Sequence, residues 1–367
     1  MKQLIIGAFV ICMFSCKKET LIIDAELQAH LATTVLVKPS NKYNNFFTRY
    51  GNGWTGGDAT YSVALPDGRN LWMFGDSFLD TVYADRTRPS SGLIRNCFML
   101  QDGPGYNDFT TLVTGSIDEP EAFVNTPDPA NEWYWPGDGT VVDDELYVFM
   151  QLFERTGTGT FDFHYLQTDL VKFSLPDISE VSRTTVWEID DDVFFGATVF
   201  EEDSFLYIYS PETQGIFKYV QLARLPQDNL YAPLTYYNAA TSVWQTTYPG
   251  TDGRLKKNPS GNIDVSAQFS VFYDAGRYRL VTQEGLLGKN IYTYHSSSPL
   301  GPWSGKKKIY TADAGPDAWT YNAFVHPQIL TTDGYMLMSY NINAMDFFDL
   351  FSNADIYRPK FVWIKYL

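Results

Sequence analysis

Apolar and polar positions along the chain fall into short runs that reverse at polar turns, not into helical repeats. The stretch GGDATYSVALPDGRNLWMFGDSF, residues 56–78, shows the pattern: a β-branched and aromatic strand, a turn at Pro66–Arg69, and a second aromatic-rich strand. Four later stretches repeat it. GDGTVVDDELYVFMQLF starts at Gly137 and turns at Asp143 and Asp144; FGATVFEEDSFLYIYSPE starts at Phe195 and turns around Asp203 and Ser204. AQFSVFYDAGRYRLVTQEG starts at Ala267 and turns at Asp274–Gly276, and AFVHPQILTTDGYMLMSYN starts at Ala323 and turns at Asp333 and Gly334. The spacers hold further strand-like runs, NCFMLQD, DLVKFSL, FKYVQLARL, NIYTYHS and FVWIKYL, which supply a third strand each. No stretch reads as a convincing amphipathic helix. Five similar antiparallel sheets predict an all-β fold, a five-bladed β-propeller, with an irregular β-sandwich as the rival.

The N-terminus departs from this pattern. MKQLIIGAFVICMFSC has Lys2, an apolar run from Leu4 to Phe14, and then Ser15 and Cys16. The run is too short to span a bilayer and reads as a secretory signal. Cys16 after a small residue resembles a bacterial lipobox, in which that cysteine becomes the lipidated N-terminus. The organisation expected is therefore a lipoprotein signal over 1–16, a tether over 17–40 and one folded domain over 41–367. Such a chain is exported, to the periplasm or the outer-membrane surface, and meets the membrane only through its lipid. With Cys12 in the signal and Cys16 lipidated, only Cys97 remains, so no disulfide framework or cysteine zinc site forms.

Charge narrows the partners. Lys and Arg number 27 against 43 Asp and Glu, a net charge of −16, which repels nucleic acid and anionic surfaces. Aromatics make up 16% of the chain; they favour strands, and exposed aromatic rings suit stacking on sugars or bases. A monomer that takes a carbohydrate is the expectation. The acidic run EIDDDV, residues 188–193, lacks the spaced ligands and glycine of an EF-hand loop.

Two motifs carry a family resemblance. HSSSPLGPWS, residues 295–304, resembles the outer-strand Ser-x-Pro-x-Gly-Pro-Trp signature of five-bladed propeller glycoside hydrolases such as family 43. GGDATYSV followed by WMFGDS resembles the first blade of those enzymes and of the bacterial domain-of-unknown-function families 5005 and 4185, some members of the latter type being arabinan-cleaving. The resemblance runs from about Asn45 to the C-terminus. It implies hydrolysis of a polysaccharide, furanose-containing in the arabinan manner, with a non-catalytic glycan-binding lipoprotein as the alternative. A phosphorolytic enzyme is a minor third reading, for which only Arg95 and Arg358 offer cations.

In a propeller, the start of each first strand and the end of each second strand meet at one mouth. The hairpin alignment brings together Asp58 and Asp76, Asp138 and Gln151, Glu212, Gln268 and Glu284, and Asn322, His326 and Asn341. Family 43 enzymes place an aspartate base on the first blade and a pKa-tuning aspartate on the second, positions matched by Asp58 and Asp138. Their third-blade acid has no counterpart, because Gly196 stands where it would begin. Glu284, in the register of Asp76, is the acid expected to face Asp58 across the axis, about 6.5–9.5 Å away in an inverting enzyme, with Glu212 as the other candidate. Trp54 and Trp135 precede the two aspartate strands as stacking platforms. His326 is a substrate contact or the holder of a water-bound central calcium; no other metal or cofactor is implied. Against each single aspartate stands the plainer role of capping a turn.

Overall fold

The computed structural model describes residues 34–367, apart from 90–91, 103–107, 117–118, 160, 189–191 and 286. The signal segment and Cys16 lie outside the described residues. Strands organise into five sheets of four or five strands, with one three-stranded and one two-stranded sheet beside them. All ladders within these sheets are antiparallel.

Every hairpin expected from the sequence opens a sheet. The first strands are Tyr61–Ala64, Glu132–Val142, Thr198–Glu202, Phe269–Asp274 and Ala318–Leu330. Their partners are Asn70–Phe74, Glu145–Arg155, Phe205–Gln214, Arg277–Gln283 and Met336–Ala344. The spacer runs form the third strands, Cys97–Gln101, Phe163–Ser174, Phe217–Pro226, Asn290–Ser296 and Lys360–Tyr366. At the second turn, Asp143 and Asp144 both take left-handed backbone (φ 51° and 60°), the tight hairpin geometry that matches strand twist.

One correction concerns the N-terminal segment. Residues Val35–Pro39, expected as the end of a tether, pair with Lys360–Tyr366 as the fourth strand of the last sheet. The first described strand thus completes the last sheet, and the short helix Asn41–Phe46 follows it.

The strands are apolar on both faces, and the reason is packing on both sides. In the second sheet Leu146 and Val148 join a core with Tyr61, Leu71 and Phe98 of the first sheet. Their neighbours in sequence, Tyr147 and Phe149, point the other way and join Leu206 and Ile208 of the third. Alternate residues of one strand therefore feed two cores. Further clusters lie between the third and fourth sheets, the fourth and fifth, and the fifth and first. The first strands neighbour one another in the cyclic order first, second, third, fourth, fifth, first. Between them runs a cavity of about 270 Å³, to which Ser62, Asp138, Thr198, Ser270 and Gln328 contribute one side chain per sheet. Trp303 of the GPW motif is buried in the core between the third and fourth sheets.

Candidate active site

Asp58 and Asp76 come together as the sequence alignment expected, and the small three-stranded sheet explains how. After Asp76 the chain runs straight into Ser77–Leu79, which pairs with Trp54–Gly57, the segment that leads to Asp58. Gly75 makes the approach close: a Cβ there would lie 2.7 Å from Asp58 Oδ1 and 3.4 Å from Trp135 Cδ1. No larger residue fits between the two carboxyl-bearing segments.

The two carboxyls sit in unequal surroundings. Asp58 accepts a hydrogen bond from the Tyr321 hydroxyl (2.7 Å to Oδ2), and the Tyr357 phenol also acts on it. Asn343 Nδ2 donates in turn to the Tyr321 hydroxyl at 3.3 Å. Asp76 faces a cation: Arg95 Nη1 lies 3.1 Å from its Oδ2, and the Trp135 indole N–H donates to its Oδ1 at 2.7 Å. Burial, with the Asp76 charge second, raises Asp58 to about 7 against the pull of the tyrosine hydrogen bonds. Burial raises Asp76 too, but Arg95 and Trp135 oppose it. Two neighbouring carboxyls whose environments differ in this way share a proton unequally, and Asp58, which lacks the cation, is the one that keeps it. Both acids are half-buried, and the Asp76 and Arg95 side chains retain 19% and 31% exposure.

Trp135 is a half-buried wall of this mouth, held by Trp133, Phe153 and Phe163 around its ring. Gln151 stands opposite Trp135 in the ladder, also half-buried. Asn322 sits half-buried on a bulge of the fifth sheet with φ 55°, next to Tyr321.

The other expected site residues lie elsewhere or do other work. Trp54 is fully buried against Phe47 and Phe74, so it is core and offers no stacking face. Asp138 does not open its strand: it sits at the bulge between Pro136 and Gly139 inside Glu132–Val142, and it turns toward the third sheet. Its carboxylate accepts from Val199 N (2.9 Å), Thr198 Oγ1 (3.2 Å) and Gly139 N (2.9 Å), and burial raises it to about 7 against these bonds. Neither Asp58 nor Asp76 is among the groups that shift it. Glu212 is locked by Arg254, whose Nε lies 2.9 Å from Oε2, and by Gln221 Nε2 at 2.6 Å. Although burial pushes it up, these partners hold Glu212 below the ordinary carboxylate value, which unsuits it as a proton donor.

Glu284 shares the alignment register of Asp76 and not its surroundings. It is exposed just past the end of its strand, where its carboxylate accepts from Asn290 Nδ2 at 3.0 Å and its backbone N–H donates to Asn290 O at 2.7 Å. Nor does His326 reach the mouth. Fully buried against Trp72 and Phe324, it has both ring nitrogens within hydrogen-bond distance of serine hydroxyls, Ser62 at 2.6 Å and Ser339 at 2.9 Å. Nothing on the ring is left for a calcium-bound water, and burial drives it down to about 3. Gln268 and Asn341 donate from their amides to the segment around Asp58, at Ala59 O, Gly57 O and the Thr60 hydroxyl, and not to the mouth. Arg358 is buried on Thr55 O and Asp355, away from the mouth; Arg95 is the cation beside the acids.

Gly196 confirms why the third sheet carries no acid at its start. Its φ is 99°, and a Cβ would lie 2.3 Å from Phe149 Cβ. Two residues escaped sequence reasoning. Tyr321 adjoins the expected Asn322 and was one position from notice. Tyr357 lies in the irregular segment between the second and third strands of the last sheet, where no periodic signal exists.

The all-β architecture that carries these residues is shared with known proteins. The chain belongs to the family described as domain of unknown function DUF5005, whose model matches residues 40–366. It is similar to a candidate hydrolase from Bacteroides ovatus ATCC 8483 (24% identity, TM-score 0.77, 90% of each chain covered). It is also similar to the GH43_1 enzyme from Xanthomonas citri solved with xylose (15% identity, TM-score 0.50, 92% of this chain and 93% of the other covered). No curated protein matches the chain.

Proposed function

We propose that this chain is a glycoside hydrolase on a five-bladed β-propeller, exported as a lipoprotein through Cys16 and acting on a polysaccharide. The cyclic order of the five first strands and the five cores between successive sheets support the blade count. One observation carries the activity: adjacent, solvent-reachable Asp58 and Asp76, one against neutral phenols and one against a guanidinium.

That division suits glycoside cleavage, which needs one protonated and one ionised carboxyl. Asp58 gives its proton to the departing glycosidic oxygen as the bond to the anomeric carbon breaks. Asp76, ionised beside Arg95, stabilises the positive charge that develops on the sugar ring. Water then supplies oxygen to the anomeric carbon and returns a proton to the pair, so the net change is addition of water across one C–O bond. Here Asp58 takes the acid's role given to Glu284 in place of the base's role expected from the family resemblance, and Asp76 is its ionised partner. Trp135 adds an aromatic wall for the sugar.

A polysaccharide panel, headed by furanose-containing glycans, tests this when scored for both reducing-sugar release and binding. Release by the wild type and its loss in Asp58→Asn and Asp76→Asn, with binding kept, is expected. If no glycan is cleaved and both variants lose binding, the chain is a glycan-binding lipoprotein. Mass spectrometry of the exported protein should find lipid on Cys16; a mature N-terminus elsewhere removes the anchor.

A further inference from the structure

The segment that carries Asp58 is wound against the preference of its own residues. Ala59 and Thr60, neither a glycine, both take left-handed backbone at φ 65° and 59°. A β-branched residue there is an outlier, and such backbone persists only where its surroundings over-determine it. The surroundings here are two buried amides from distant sheets. Gln268, just ahead of the fourth sheet, donates from Nε2 to Ala59 O at 2.7 Å. Asn341, in Met336–Ala344 of the fifth, donates from Nδ2 to Thr60 Oγ1 at 2.9 Å and to Gly57 O at 3.4 Å. Their side chains are almost wholly sequestered, at 3% and 0% exposure, so neither is free to meet a ligand. The Asp58 carbonyl is pinned as well, accepting from Thr60 N (2.9 Å) and Gly75 N (3.1 Å).

We propose that Gln268 and Asn341 are positioning residues, which aim the Asp58 carboxyl at Tyr321 and the mouth by holding the left-handed Ala59–Thr60 segment, Gln268 through the Ala59 carbonyl and Asn341 through the Thr60 hydroxyl and the Gly57 carbonyl. The inference rests on Asp58 being the working acid, as argued above. A relaxed, extended Ala59 would rotate the preceding residue and draw the carboxyl away from the Tyr321 hydroxyl. Contributions from three sheets therefore converge on one carboxyl: the first carries it, the fourth and fifth hold the residues on either side of it, and the fifth also supplies Tyr321.

The test is a coupling measurement in the full chain. Gln268→Ala should lower the thermal midpoint by about 3 °C. In an Ala59→Gly background it should cost less than half as much, because glycine takes left-handed backbone without steric penalty. Equal losses in both backgrounds would overturn the clamp. Gln268→Ala and Asn341→Ala should each lower kcat by about tenfold to a hundredfold with KM held within about twofold. A raised KM with kcat kept would instead make these amides substrate contacts. A ¹³C carboxyl titration of Asp58, assigned with Asp58→Asn, should shift in both alanine variants; an unmoved midpoint also overturns the proposal. Should the wild type cleave no glycan, the hydrolase reading fails, while the coupling and the titration still decide whether the clamp exists.

Discussion

Asp58 and Asp138 belong to adjoining sheets, one ahead of a first strand and one at a bulge within the next, and burial lifts both to about 7, yet they do different work. Asp138 spends its carboxylate on Gly139 N beside it and on Val199 N and the Thr198 hydroxyl, which stitch the second sheet to the third. Asp58 meets two phenols and a second carboxyl at an open mouth. A raised pKa marks burial in both places; only the partners separate a seam from a site. Glu212 makes the same point from the other side, since a paired guanidinium turns an acid into a structural tie.

The contrast breaks most directly on substitution. Asp58→Asn should lower kcat by about 10³-fold or more with glycan binding kept, whereas Asp138→Asn should leave turnover per folded molecule within about threefold. Steady-state kinetics on any cleaved glycan decides it, and equal losses at both positions would erase the distinction.

Next in size is the tie at Glu212. Arg254→Met strands a buried carboxylate and should cost about 3 kcal/mol in urea unfolding, with Glu212→Gln costing less. A neutral outcome for Arg254→Met would return Glu212 to the list of candidate acids.

The pH dependence sharpens the comparison further. Both Asp58 and Asp138 bind a proton more tightly folded than unfolded, because their ordinary value is 3.8 and their folded value about 7. The folded state then holds more protons between those limits, so this contribution makes stability fall as pH rises from 3.8 to about 7. Melting curves across that window should show the slope, and Asp138→Asn should flatten it without moving the pH profile of activity. Activity should decline above about 7, where Asp58 loses its proton; decline below that point instead would make Asp58 the base.

The smallest effect separates the two tryptophans. Trp135→Phe removes the indole donor to Asp76 and should lower kcat by about tenfold. Trp54→Phe, deep in the core, should change melting temperature and leave kcat alone.

The hairpins were legible because each is local: two strands, a turn with Asp or Gly, and a third strand after a short spacer. Their apolar runs are unbroken because each strand feeds a core on either side, as Leu146 and Tyr147 do. The closing strand Val35–Pro39 was not legible, since its partner Lys360–Tyr366 lies at the far end of the chain. Alignment placed Asp58 and Asp76 together correctly for the same local reason, the hairpin between them.

Position along a strand was readable from one dimension; direction was not. Alignment gave Asp76 and Glu284 the same register, and the next few residues set one under Trp135 and Arg95 and left the other in an exposed loop. Partners from distant sheets decided the rest. Tyr321 and Tyr357 came to Asp58, Arg254 to Glu212, and Ser62 and Ser339 to His326. The amino-acid order by itself determined the strands, the turns and which side chains stand near a strand's end, because these depend on neighbours a few residues apart. Only the tertiary structure decided which of those acids would face a phenol, a guanidinium or water, because a carboxyl's chemistry is set by groups within a few ångströms in space.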